Sequence, residues 1–340
     1  MIDDVDVKIP QHEKGNPAEN SLGGTELLTM ELFRRLPQEY KDKFQFVVSR
    51  VHNIEEDKRR LYWLHDLALD PVHSLLTTPS IDMFDKLVFV SHWQQQQFNT
   101  LLKIPYDRGV VIKNAIDPIP KHEETETKDL QLIYASTPQR GLDVLMDALD
   151  LIDRTDFHLH VFSSYKLYGW EQNDEEFKPL FERLESDSRV TNHSTVSYDE
   201  MRKHWTNMHI LAYPCTWQET SCRVAMEAMS AHCAVVTSNW GALPETCGEY
   251  AYMYNYTEDK NKHVERFADA LEDVMDSYWT KDVQKNLDSA LEYSHTHYSW
   301  DKRINQWIDF LDNLIYELDH EEAKNEVKFG KKEIIINKKA

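Results

Sequence analysis

The sequence predicts an α/β protein made of two parallel-sheet domains that face one cleft. Three observations lead there. Short apolar or β-branched runs alternate with helix-patterned segments along most of the chain, the order expected of βα repeats. A charged, proline-containing stretch, DPIPKHEETETKD, interrupts that series and reads as a linker between two such units. The chain has 340 residues, 41% hydrophobic and 29% charged, which suits a globular protein of two domains. The expected boundaries are a first domain over 1–117, a linker over 118–129 and a second domain over 130–298. A long amphipathic helix over 299–318 and a charged tail over 319–340 complete the chain.

Composition excludes several classes. No apolar run approaches the length of a membrane span. The start, MIDDVDVKIPQHEKG, lacks the apolar segment of a signal peptide. A net charge of −21 argues against general binding to nucleic acid or to an anionic membrane, while leaving room for one local basic pocket. The four cysteines, Cys215, Cys222, Cys233 and Cys247, have no C-x-x-C spacing and are expected as reduced thiols of a cytoplasmic protein. The 16 histidines form no metal-ligand pattern, so neither a bound metal nor a cofactor is expected.

In the first domain, residues 1–20 are polar, and VDVKI makes only a weak opening strand. Gly23-Gly24 precede a helix to about Leu36; they serve either a close backbone approach by a ligand or simply a flexible helix start. Runs at 45–49, 61–64, 86–90 and 110–113 fit buried parallel strands. Ser91 is placed to cap a helix ending near Leu102. His65-Asp66 follow the strand-like LYWL, at the strand end where α/β sheets place functional side chains; a His that merely satisfies a carbonyl there is the plainer reading.

In the second domain, 130–135 is a strand and 136–141 a loop. Leu142, Leu145, Met146 and Leu149 mark the buried face of a helix. A strand at 158–162 ends in Ser163-Ser164-Tyr165. A helix at 177–184, an edge at 190–196 and a helix at 198–205 come next. Residues 264–275 and 283–293 are helical, and IIIN near the end is a candidate edge strand. Arg140, alone among its loop's residues in being cationic, suits a diphosphate because its guanidinium is a planar fork.

Residues 215–246 organise this domain. A strand at 208–214 leads into a loop and helix carrying Glu219 and Glu227, eight positions apart, and then into the strand AVVTS. Thr220-Ser221 reads as the helix N-cap. A helix starting there would bring Glu227 back to the face of the cap, about 10 Å along the axis. Exposed N–H groups between two carboxyl groups suit a ligand with a central diphosphate and hydroxyl-rich ends, the shape of a nucleotide-sugar. Glu-x7-Glu by itself also arises by chance in acidic helical chains.

Taken in order, these segments resemble a GT-B-fold glycosyltransferase of the large retaining family four, which uses nucleotide-sugars. LGGTE resembles its Gly-rich loop, and VFVSHWQQQQF with VVIKNAIDP resembles the paired segments closing the first domain. YASTPQRGLDVLMDAL resembles the first strand–loop–helix of the donor domain. PCTWQETSCRVAMEAMSAHCAVVTSNWGALPET resembles the E-x7-E region with the following G-x-L-P-E. SWDKRINQWIDFL resembles the C-terminal helix that crosses back to the first domain. RLYWLHDLALDP and VFSSYKLYGWEQND add a likeness to a compact bacterial and phage-type subgroup.

The resemblance implies two Rossmann-like domains, the first of them short. It also implies a metal-independent transfer of sugar, with retained anomeric configuration, from a UDP- or GDP-sugar to a glycan or other hydroxyl acceptor. His65, Glu219 and Arg140 would be catalytic. Glu227 would hold the ribose hydroxyls, and Glu219 those of the sugar. Thr220, Ser221 and Cys222 with Arg140 would hold the diphosphate, with Gly23 and Gly24 passing close to it. Ser163, Ser164 and Tyr165, with Asn192, His193, Ser194 and Thr195, lie where the family holds the base. One family cation falls on Ala135, and Arg223 or Lys166 is available to replace it. Thr220-Ser221-Cys222 stands for the usual Gly-Phe-Gly, and NAID for NGID. A binding module without turnover and a nucleotide-sugar epimerase share this fold and remain the alternatives.

Overall fold

The computed structural model describes residues 23–51, 53–73, 76, 80–121 and 129–336, with side chains of the last helix described as far as His320. The first domain contains α1 (Gly24–Arg35), α2 (Gln38–Lys43), β1 (Phe44–Val48), β2 (Arg59–Leu64), β3 (Lys86–Phe89), α3 (His92–Leu102) and β4 (Gly109–Val111). Its four strands pair in parallel in the order β1-β2-β3-β4. The weak opening strand VDVKI lies outside the described residues, as does most of the linker.

Alternation along β2 explains why both faces of this sheet are covered. Leu61 and Trp63 point into one apolar cluster, with Leu28 and Leu32 of α1. Tyr62 and Leu64 point into another, with Phe98 of α3. Successive side chains of a strand leave on opposite faces, so a strand buried on both sides must be apolar throughout, as RLYWL is from Leu61 on. Ser91 caps α3 as expected, its hydroxyl accepting the Gln94 N–H at 3.0 Å.

The second domain runs β5 (Leu130–Ala135), α4 (Leu142–Leu149), β6 (Phe157–Phe162), α5 (Lys178–Ser186), β7 (Val190–Asn192), α6 (Tyr198–Trp205), β8 (Ile210–Tyr213), α7 (Arg223–Ser230), β9 (Ala234–Ser238), α8 (Leu243–Cys247), β10 (Tyr252–Tyr254), α9 (Lys260–Ser277) and α10 (Lys281–Tyr298). Its parallel strands lie in the order β10-β9-β8-β5-β6-β7. Strand order therefore reverses between β5 and β8, and a crevice opens at their C-terminal ends. The edge expected over 190–196 pairs only as far as Asn192. The four cysteines are buried and unbridged.

The chain leaves the second domain where it entered. The Ile116 N–H donates to the Tyr298 carbonyl at 2.8 Å, and the Trp300 N–H donates to Ile116 at 3.2 Å. From there α11 (Trp300–Ile336) crosses to the first domain. Trp300, Trp307, Leu311 and Leu314 join the cluster of Leu61 and Trp63. The Trp307 ring meets Trp63 edge-on at 5.2 Å between centroids.

This helix corrects two expectations. It does not stop at Leu318 before a charged tail, and Ile334–Ile336 of IIIN are its last turn rather than an edge strand. The segment after Leu318 is rich in Glu and Lys, good helix formers, and lacks proline. No described helix is long and apolar enough to cross a membrane.

Trp307 is fully buried, and its replacement by Ala is expected to remove about 3–5 kcal/mol from the first domain's stability. A urea titration followed by tryptophan fluorescence reads this; an unchanged midpoint would exclude α11 from that core.

Candidate active site

The loops after β5 and β8 meet at the crevice where strand order reverses. Arg140, from the first loop, donates from Nη1 to Glu219 Oε1 in the second at 2.6 Å. The Tyr213 hydroxyl, at the end of β8, donates to the same oxygen at 2.7 Å. The Glu219 side chain is 7% exposed and that of Arg140 28%, so the carboxyl group is enclosed while the guanidinium still reaches the opening.

The backbone of Glu219 is held from behind by the GALPE segment. Ala242 N–H donates to the Glu219 carbonyl at 2.7 Å. Gly241 has φ +64°, and a Cβ there would stand 2.6 Å from both the N and O of Glu219. Only glycine permits that approach.

The same segment reaches the other domain. Glu245 accepts the His92 N–H at 3.1 Å and the Trp93 N–H at 2.9 Å, at the start of α3. Lys113 Nζ is 3.2 Å from its carboxyl group. Burial works to raise the Glu245 pKa, but these N–H donors and Lys113 outweigh burial and hold it below the ordinary value. A helix N-terminus is the favourable place for such a carboxylate.

The helix after Glu219 departs from expectation. It begins at Arg223, with Cys222 at the N-cap position and no side-chain cap. Thr220 does not cap it, because its hydroxyl donates across the domain boundary to the His65 carbonyl at 2.7 Å. Glu227 therefore stands one turn into the helix. It is 4% exposed and accepts from the Tyr198 hydroxyl at 3.1 Å. Arg223 Nε lies 2.9 Å from the same Glu227 oxygen, and its guanidinium covers the Tyr198 ring at 4.3 Å.

Both glutamates border a cavity of about 440 Å³ between the domains, with Gly24, His65, Arg140 and Arg223 also on its wall. Thr220, Ser221, Cys222, Ser164, Tyr165, Ser194 and Thr195 line it too. Among the expected residues, Gly23, Ser163, Asn192 and His193 do not. Asn192 is turned to accept the Ser194 N–H at 3.0 Å. His193 stacks on Phe162 at 4.4 Å and contacts His160 Nδ1 at 2.9 Å. Ser163 is buried beneath the wall. Ser164 borders the cavity, but its hydroxyl donates to Asp174 at 2.6 Å and caps the turn that follows. Lys166 is exposed and off the wall, so of the two replacement cations only Arg223 borders the cavity.

From the first domain, His65 follows β2, and Gln94 of α3 fixes this turn by donating to the carbonyls of Leu64 at 3.2 Å and Asp66 at 2.9 Å. The imidazole packs against Trp63 at 4.6 Å, and its Nε2 is enclosed without a partner. Burial pushes its pKa down to about 3, so the ring is neutral. Asp66 does not orient it. No hydrogen bond joins the two side chains; Asp66 turns toward Ser49, and burial raises its pKa.

Several wall residues had no signal in the sequence. Tyr198 and Tyr213 read as ordinary helix and strand residues until their hydroxyls were seen on the two glutamates. Arg50, after β1, also borders the cavity from the first domain. Among the described residues, no group of three or more His, Cys, Asp or Glu side chains is placed to hold a metal ion.

Two parallel-sheet domains with a crevice at the second domain's switch point make the GT-B architecture, and comparison with known proteins finds similarity of the same kind. Residues 131–277 match the family model of glycosyl transferases group 1. An uncharacterized glycosyltransferase of Methanocaldococcus jannaschii is 25% identical over 221 residues, 65% of this chain and 57% of that protein. A glycosyltransferase from Rickettsia africae superposes with a TM-score of 0.64 at 13% identity, over 89% of this chain and 84% of its own. HepE of Anabaena, solved in complex with UDP-glucose, gives 0.61 at 17% identity over 75% and 72%. The second domain therefore matches the group 1 glycosyltransferase model, and the chain as a whole shares its fold with solved glycosyltransferases, in line with the resemblance of its motifs.

A neutral His65 has a consequence for acid stability. Unfolded, the imidazole gains a proton below about pH 6.5; folded, it stays neutral down to about 3. Between these values the unfolded state binds more protons, so stability falls as pH falls through the window. His65→Gln is expected to lose less melting temperature than the parent between about pH 7 and about pH 4. An equal loss in both would mean that His65 does not carry this linkage.

Proposed function

We propose that the protein transfers a sugar from a nucleoside-diphosphate sugar to an acceptor hydroxyl, with the anomeric configuration retained and without a metal ion. The observation that carries this reading is the Arg140–Glu219 pair at the switch-point crevice, with Glu227 and Arg223 on the same wall. A guanidinium for phosphate beside enclosed carboxyl groups for hydroxyls is the complement of a nucleotide-sugar. The family match to the second domain and the UDP-glucose bound to HepE support the same donor class.

In this reading Glu227 receives the ribose hydroxyls and Glu219 those of the sugar. Arg140, the N–H groups at 220–222 and Arg223 face the diphosphate. The bond from the anomeric carbon to the phosphate oxygen breaks, and its electron pair stays with the phosphate. The acceptor oxygen bonds to that carbon on the same face and passes its proton to the departing phosphate. Charge grows on the phosphate as this happens, so fixed cations and N–H dipoles there lower the barrier. Neutral His65 offers a hydrogen bond to the sugar when the cleft is closed.

Glu227→Ala is expected to weaken donor and free nucleoside diphosphate alike, by about 1.5–3 kcal/mol, since both carry the ribose. Calorimetric titration checks this, and unchanged nucleotide affinity would remove Glu227 from the ribose site. Arg140→Ala is expected to lower kcat roughly a hundredfold or more, with a smaller effect on binding of the bare nucleoside. Full turnover of that variant at saturating donor would overturn the assignment. EDTA is expected to leave the rate unchanged; a loss restored by Mg²⁺ or Mn²⁺ would refute the metal-free mechanism.

A further inference from the structure

One side chain on the cavity wall has no role in the scheme above. Tyr168 ends a short 3-10 turn, Tyr165–Tyr168, that follows β6 in the second domain. Three bonds make this turn rigid. Ser164 Oγ accepts the Lys166 N–H at 2.9 Å, Asp174 accepts the Tyr165 N–H at 2.8 Å, and Asp174 also accepts from the Ser164 hydroxyl at 2.6 Å. Trp170 stacks on the Tyr168 ring at 5.4 Å and 28°.

The turn points its last residue across the cleft. A Cβ on Gly23, at the start of α1 in the first domain, would stand 2.4 Å from Tyr168 Cε1 and 3.1 Å from Cδ1. The ring therefore lies directly on the glycine, and a side chain at residue 23 would meet both it and Glu26 Oε2, which would stand 2.5 Å from the Cβ. Tyr168 borders the cavity, and no hydrogen bond among the described residues occupies its hydroxyl. Its charged neighbours come from both domains: Arg140 and Glu219 from the donor side, Glu26 and Asp66 from the other. Burial raises the phenol's pKa, so it stays a protonated donor at neutral pH.

We propose that Tyr168 is a further catalytic residue. Its hydroxyl donates a hydrogen bond to the departing diphosphate beside Arg140, and its ring closes the cleft over Gly23 and keeps water from the anomeric carbon. This rests on the reading of the cavity as a nucleotide-sugar site. A neutral donor fixed before the reaction begins stabilises the charge that grows on the leaving group and adds little to ground-state binding.

The test uses the full chain, with donor hydrolysis and transfer measured side by side across UDP- and GDP-sugars. Tyr168→Phe keeps the ring and removes only the donor. Its kcat is expected to fall roughly tenfold or more, with the donor KM within about threefold of the parent. Tyr168→Ala is expected in addition to raise hydrolysis relative to transfer. Parent kcat in Tyr168→Phe would overturn the proposal, while absence of turnover by the parent on every donor would overturn the transferase reading and this one with it. A thermal-melt cycle reads the contact without activity. Gly23→Ala is expected to lower Tm in the parent and to lower it less in a Tyr168→Ala background. Equal drops in both backgrounds would show that the ring does not close on Gly23.

Discussion

The ion pair between Arg140 and Glu219 is the contact on which the rest of the site depends. It joins the two loops that leave β5 and β8 on either side of the strand-order reversal. Tyr213 completes the carboxyl group's coordination, and Gly241 lets the GALPE segment press against the Glu219 backbone. That segment ends at Glu245, which holds the start of α3 in the other domain. Residues 241–245 therefore join the Glu219 backbone to the start of α3 in the other domain.

A partly enclosed ion pair is a poor source of stability, because desolvation offsets most of the attraction. Its value here is orientation. Glu219 holds the guanidinium at the crevice mouth, where, in the function proposed above, the diphosphate would compete for the same cation. The pairing of Arg223 with Glu227 repeats the arrangement one turn into α7. Arg140 and Arg223 on the cavity wall are each held beside a carboxyl group.

The first domain has a four-stranded described sheet and relies on material from the far end of the sequence. Trp300, Trp307, Leu311 and Leu314 of α11 cover the face that α1 leaves open. The return crossing at Ile116 and Tyr298 ties the domains together at the same point where the chain first passes between them. Glu245, Thr220 and Tyr168 add further contacts between the two domains.

Much of this was legible in the residues alone. Strand-like runs such as LYWL and AVVTS are apolar because both faces of a parallel strand are buried, and they fell where strands occur. Ser91 announced a helix start because a hydroxyl there satisfies a free N–H. Arg140, Glu219, Glu227 and His65 were marked by their place at strand ends and by motif spacing, and they share one cavity. What the sequence by itself could not decide was partnership across distance. Thr220 looked like an N-cap, but the other domain's His65 carbonyl took its hydroxyl and α7 started later. His193 and Asn192 are expected at the base site, and the structure instead pairs His193 with Phe162 and His160, and Asn192 with Ser194, with neither His193 nor Asn192 on the cavity wall. Tyr168 had no local signal, because its meaning lies in a glycine 145 positions earlier that only folding brings beneath its ring. Local propensity and periodicity are written in neighbouring residues, whereas competition for a hydrogen bond is settled by whichever group the tertiary structure brings within reach.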